Sequence, residues 1–184
     1  MRVRFIRIIA FIVFVIILGV GYNFFTVNFS GEGKATPEEA LPDDAEYEWI
    51  VGLVADKEHH YFYLSNGNYI GTEVVTKNFK GWSSEQGAYA SLPKSLEDNQ
   101  IATAISDEKI LFGLLKPNGK VEVTVNNQPT KRISLTSLPK EVVELYQVQG
   151  YEIWYIELTN LDQAKHYSIK VLNEHNTVID ELSI

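Results

Sequence analysis

The apolar positions of this 184-residue chain follow two different patterns. Residues 8–20, IIAFIVFVIILGV, are almost wholly apolar and follow a basic flank, MRVRFIR, that holds Arg2, Arg4 and Arg7. The run continues less purely through Tyr22, Phe24, Phe25 and Val27, with Asn23 its one strongly polar member. Ile8 to Val27 therefore has the length of a bilayer-spanning helix, which needs about 20 residues. Tyr22, Phe24 and Phe25 would then lie at the outer interface, where aromatic rings are favoured. The apolar core alone is also the length of a signal-peptide core, and Gly19-Val20-Gly21 is a loose cleavage site. A retained anchor is the expected reading, a cleaved signal the alternative, and a buried N-terminal helix of a cytosolic protein the third.

Ser30 to Glu46, SGEGKATPEEALPDDAE, has two Gly, two Pro, six acidic residues and no aromatic, the composition of a flexible acidic stalk. Thr36, Pro37 and Glu39 form a capping signal for one short helical turn. From Tyr47 the pattern becomes that of β-structure, with short runs of Tyr, Phe, Trp, Val, Ile and Thr broken by Asn, Gly and Pro. Glu48–Ala55, Tyr61–Leu64 and Tyr69–Lys77 read as strands, with a tight turn at Ser65-Asn66-Gly67-Asn68 and a close at Gly81-Trp82. Together these predict a small meander of three or four strands. Ser83 to Asp107 is mixed and reads as a long connection with a short strand, or a hinge.

The C-terminal part alternates more regularly. Ile110–Leu115 is an apolar strand, and Val121, Val123 and Val125 alternate with polar residues. Ile133 and Leu135 share a face, and Glu141–Tyr146 reads as a helical turn. Trp154, Ile156 and Leu158 line one face of Tyr151–Leu158, and Tyr167, Ile169 and Val171 alternate in the next strand. Asn173 to Asn176 turns into Thr177–Ile184. The predicted fold is mainly β: an N-terminal transmembrane helix (1–29), a stalk (30–46), a small antiparallel β meander with its connection (47–107), and a C-terminal β-sandwich-like domain (108–184).

Composition sharpens the placement. The chain has no cysteine, so neither a disulfide nor a lipid-bearing cysteine is available. All 24 acidic residues lie beyond residue 31, against 13 basic ones there, a formal charge of −11. The basic flank inside and the acidic part outside agree with the positive-inside bias. Such a surface has no electrostatic reason to bind nucleic acid and is repelled by anionic polymers. Asn28-Phe29-Ser30 is a formal glycosylation sequon, read as chance.

Thr36 to Leu41, Gly81-Trp82, ILFGLLKPNGKVEVTV (Ile110–Val125), IWYIEL (Ile153–Leu158) and YSIKVLNEHNTVID (Tyr167–Asp180) together make a familiar pattern. The chain resembles small single-anchor extracytoplasmic proteins of spore-forming Gram-positive bacteria. The resemblance implies an anchored β ectodomain and carries over no catalytic residue.

Candidate chemistry is sparse. His59-His60 with Asp56 and Glu58 holds metal-ligating types, but adjacent strand positions point to opposite faces, so a solvated hairpin tip is expected. His166 and His175 flank one strand, with Asp162 and Glu174 nearby in sequence, and are expected to mark strand ends. Ser91-Leu92-Pro93-Lys94 spells a Ser-x-x-Lys pair, which Pro93 keeps from one helical turn. Glu38-Glu39 and Asp43-Asp44 are paired acids in the stalk. No metal, cofactor or catalytic residue is assigned. Tyr61, Tyr63, Tyr151, Ile153 and Tyr155 fall on a second strand face, whose occupant is the other lobe, a partner protein or sugar rings.

The expected function is that of a non-enzymatic, membrane-anchored envelope protein with an extracytoplasmic β-rich protein-interaction module. The alternative is a secreted or anchored module that binds a ligand or the cell wall. The expected partner is another envelope protein or a wall component. Oligomeric state stays open.

Overall fold

The computed structural model describes residues 2–43, 46–161 and 166–184. Helix α1 spans Arg2–Phe29 and α2 spans Pro37–Ala40. Strands β1 (Tyr47–Val54), β2 (Glu58–Ser65), β3 (Tyr69–Lys77) and β4 (Trp82–Ser91) follow. Then come β5 (Ile101–Ser106), β6 (Ile110–Leu115), β7 (Val121–Val125), the two-residue β8 (Gln128–Pro129) and β9 (Lys131–Ser134). Helix α3 (Lys140–Tyr146), β10 (Glu152–Glu157), β11 (Ser168–Asn173) and β12 (Val178–Ser183) complete the chain. The protein is mainly β, as its alternation predicts.

The strands form three four-stranded sheets, in the orders β1-β2-β3-β4, β5-β6-β10-β9 and β12-β11-β7-β8. The chain also divides into two compact units. One holds Met1–Asp43, Leu53–His60 and Val74–Glu85, the other Asp44–Gly52, Tyr61–Glu73 and Gln86–Ile184. The four strands of the first sheet contribute residues to both.

In the first unit, α1 contains a 21-residue stretch, Ile6–Thr26, long and apolar enough to cross a membrane, and none of it is buried against protein. The chain after α1 is not the free stalk that its composition suggests. Lys34 pairs with Trp82 in an isolated antiparallel bridge, N–O 2.8 and 2.9 Å. The Asn78 amide donates to the Ser30 carbonyl at 3.0 Å, and the Lys80 ammonium donates to that of Gly31. Gly and charge make this segment polar, but glycine also lets its backbone approach β4 closely. Thr36 caps α2 as predicted, accepting from the Glu39 amide at 3.2 Å, while Glu39 accepts from Ala35 at 3.3 Å. Asp44 lies outside the described residues.

In the second unit, Leu111 and Leu115 of β6 and Trp154 and Ile156 of β10 meet Val123 and Val125 of β7 and Ile169 and Val171 of β11. This is a sandwich core between the second and third sheets. Gly113 and Trp154 are register partners within the second sheet. All six residues of β6 are buried, so both its faces are covered. On the other face, Phe62 of β2 stands 5.4 Å from Phe112 and 5.3 Å from Tyr155, ring centre to ring centre.

The mixed segment 83–107 resolves into two strands. β4, WSSEQGAYAS, carries too few large apolar residues to announce itself. β5 pairs with β6 through a bulge between Ala102 and Ile105, so the second sheet begins at Ile101 rather than at 108.

Candidate functional site

The second unit exposes an aromatic pair and, in the lining of a cleft, a leucine. The first part of their support is the tight turn Ser65–Asn68, closed by the Asn68 amide donating to the Ser65 carbonyl at 2.9 Å with Asn68 at φ 57°. Asn tolerates that left-handed geometry, and β3 starts immediately after it at Tyr69. At the far end of β4, the Leu92 amide donates to the Asn68 carbonyl at 2.7 Å. This bond ties the end of β4 to the turn. Tyr69 and Tyr89 then meet edge to face, with ring centres 5.7 Å apart and planes at 86°. Both are exposed, Tyr89 at 57%.

The third part is α3. Its Tyr146 is buried, with the hydroxyl 3.3 Å from the Glu46 carbonyl and 3.1 Å from Asn66 Oδ1. Burial pushes the Tyr146 phenol above its ordinary range, and the charges of Glu48 and Glu46 add to the effect. Gln147, at φ 55°, ends the helix in the left-handed conformation. Anchoring Tyr146 inward turns its neighbour Leu145 outward, where it is 63% exposed. Between the turn, Ser91–Lys94 and Leu145–Gln147 lies a cleft of about 380 Å³. β4 is an edge strand of its sheet, and edge strands carry backbone groups able to pair with an added strand.

The residues expected from the sequence to offer an interaction surface lie elsewhere. Tyr61, Tyr63, Tyr151, Ile153 and Tyr155 are all buried, so they form core and not surface. Tyr63 packs edge-on against Tyr47 and Trp49, at 5.0 and 5.5 Å between ring centres. Tyr151 accepts the Leu96 amide at 2.9 Å, and Lys131 lies 5.9 Å over the Tyr155 ring. The reason is the second covered face of β10, which sequence alternation cannot distinguish from a wet aromatic face. Tyr69, Tyr89 and Leu145 were not singled out by sequence, although the position of Tyr69 straight after an Asn-Gly-Asn turn is a usable signal.

The histidine pair also differs from its expected place. His59 and His60 belong to β2 rather than to a solvated tip. His60 is buried with its Nε2 2.9 Å from Glu58 Oε1, while His59 meets Trp82 with ring centres 5.0 Å apart and planes tilted by 58°. The i, i+2 spacing places Glu58 and His60 on one face and His59 on the other. Among the described residues there is no group of three or more His, Asp or Glu side chains placed to hold a metal ion. His175 is exposed in the turn before β12, 3.7 Å from Glu174, and His166 is exposed before β11. Asp162 lies outside the described residues. Ser91 ends β4, and the residues up to Lys94 are not helical.

No family model, curated protein or solved structure matches the chain.

Proposed function

We propose that this chain is a non-enzymatic, single-span envelope protein whose β-rich part binds another protein outside the cytoplasm. Helix α1 is the anchor, with Arg2, Arg4 and Arg7 on the cytoplasmic side and the acidic remainder outside. The resemblance to single-anchor proteins of spore-forming Gram-positive bacteria belongs to the same reading. The observations that carry the binding role are the exposed Tyr69–Tyr89 pair, with Tyr89 on the edge strand β4, and the exposed Leu145 in the cleft lining. Large exposed aromatics held by a rigid frame are what protein interfaces use as anchors.

The test is photo-crosslinking in native membranes from positions 89 and 145, with the exposed position 120 as control. A discrete protein adduct from both site positions and not from 120 supports the reading. Equal adducts from 120, or none from 89 and 145, overturn it. The same aromatic pair and cleft favour a second reading, binding of cell-wall glycan, in which adducts form with wall polymer instead.

A further inference from the structure

The first unit carries an aromatic cluster that the anchor alone does not explain. Phe79 lies in the loop between β3 and β4 and is 71% exposed, one of the most exposed large apolar side chains outside α1. Its ring centre is 6.4 Å from that of Phe24 and 5.8 Å from that of Phe29, while Phe25 and Phe29 stack at 5.1 Å. The loop is fastened to the end of the helix. The Phe79 amide donates to the Asn28 carbonyl at 3.2 Å, and Asn78 and Lys80 donate to the carbonyls of Ser30 and Gly31, the two residues after the helix end at Phe29.

Depth follows from these contacts. The apolar stretch ends at Thr26. At a helical rise of 1.5 Å, Phe24 and Phe29 are separated by about 7.5 Å along the axis and straddle that end. A ring touching both therefore lies at the rim of the hydrocarbon, where amphipathic and aromatic side chains are favoured. Its polar neighbours are placed for the headgroup layer. A cleft of about 760 Å³ beside the loop is lined by Lys57, Lys77, Ser83 and Ser84, together with Glu85. The Lys77 amide donates to the Lys57 carbonyl at 2.8 Å, which sets the two residues next to each other across the backbone, with the Lys77 ammonium 5.5 Å over the Trp82 ring. Glu85 shares this cleft and Glu32 lies near Lys80, so the local charge is mixed, and the lysines act on a phosphate layer only within a screening length of about 8 Å.

We propose that the Asn78–Lys80 loop is a second membrane-docking element, with Phe79 inserted at the rim of the outer leaflet and Lys57 and Lys77 near anionic lipid headgroups. It rests on the reading of α1 as a membrane span. The ligand is the lipid surface itself. The loop and the helix then hold the bilayer at two points, and the first unit's part of the β-structure is held against the membrane.

The absence of cysteine makes the test direct. Full-length protein carrying Ile16→Cys, Phe79→Cys or Lys120→Cys is labelled with an environment-sensitive fluorophore and reconstituted into vesicles of neutral and anionic phospholipid. The label at 79 is expected to emit to the blue of the label at 120, to be quenched by lipids brominated near the headgroup, and to resist aqueous iodide. The shift should be larger in anionic than in neutral vesicles, and Lys57→Glu with Lys77→Glu should abolish that difference. A label at 16 quenched by deeply brominated lipid, with 79 as open to iodide as 120, overturns the docking loop while the anchor stands. A label at 16 that escapes lipid quenching overturns the anchor and the docking loop together.

Discussion

Gly113 faces Trp154 directly across the β6–β10 ladder, and the indole occupies the space that a side chain at 113 would need. A Cβ there would lie 2.3 Å from the Thr103 carbonyl oxygen and 2.6 Å from Trp154 Cζ2. The first of these is backbone, held by the bulge in β5 where Thr103 takes φ 60°. It cannot rotate away. Gly113→Ala is therefore expected to destabilise by about 1–3 kcal/mol or more, the range for overpacking a tight core. Urea unfolding of the full-length protein in detergent micelles, followed by tryptophan emission, would check this. An unchanged midpoint would mean that the bulge yields freely.

Phe62 bridges β2 to the outer face of the second sheet, touching Phe112 and Tyr155 with none of its surface exposed. Phe62→Ala removes those ring contacts and leaves a cavity, with an expected cost of about 3–5 kcal/mol. Phe62→Leu should cost clearly less, because most of the volume is kept. The same unfolding measurement separates the two.

Alkaline pH should weaken the second unit. Burial is the leading cause that pushes the Tyr63, Tyr146 and Tyr155 phenols above their ordinary value of 10.0. A phenol whose folded pKa is raised holds its proton longer in the folded state than in the unfolded chain. Its contribution is complete below the unfolded value and is lost as pH rises through the folded one. Urea midpoints should thus be insensitive to these groups at neutral pH and fall once pH passes about 10. Tyr63→Phe should flatten part of that fall. A native tyrosinate absorbance titration centred at the ordinary value would contradict the burial argument.

The Lys34–Trp82 bridge is vulnerable at Gly81, whose φ is 136°. A Cβ at 81 would stand 2.6 Å from both the Gly33 carbonyl carbon and the Lys34 carbonyl oxygen. Gly81→Ala should release the post-helix segment from β4 at a cost of about 1–3 kcal/mol, set by the conformation and the clash. Hydrogen exchange at the Lys34 and Trp82 amides reads this locally: protected in the parent, fast in the variant. Equal protection in both would sink the prediction.

On the surface, Leu145→Ser should shift unfolding by no more than about 0.5 kcal/mol, since its side chain faces solvent, and Tyr89→Ser by about 0.5–1.5 kcal/mol, the worth of its edge-to-face contact with Tyr69. Their effect should appear in crosslinking yield instead. A large loss of stability would reassign them as structural.

Much of this architecture was legible in the order of residues. A 3.6-residue periodicity is not needed to see α1, because nearly every position is apolar and only a bilayer or a deep core accepts such a run. Val121, Val123 and Val125 alternate with polar neighbours, so β7 and its inward face were visible before any contact was known. Trp154 and Ile156 sort to one face of β10 for the same reason, and Asn68 marks a turn because few other side chains tolerate its backbone angles. Thr36 and Glu39 signal their own cap.

Other features were decided only by tertiary structure. Alternation shows that Ile153 and Tyr155 share a face but not what covers it, and Phe62 of a distant strand covers it here. His60 reads as polar, yet it is buried once Glu58 accepts it on the same face of β2. β4 has a strand's hydrogen bonds without a strand's composition, since its place comes from β3 beside it. The Ser30–Leu41 segment looks free by composition and is tied down by bonds to residues about 50 positions away. Local sequence encodes periodicity, caps and turns because those depend on neighbours in the chain. Which faces meet, which edges stay open and which glycines must stay bare depend on residues far apart in sequence, and only packing brings them together.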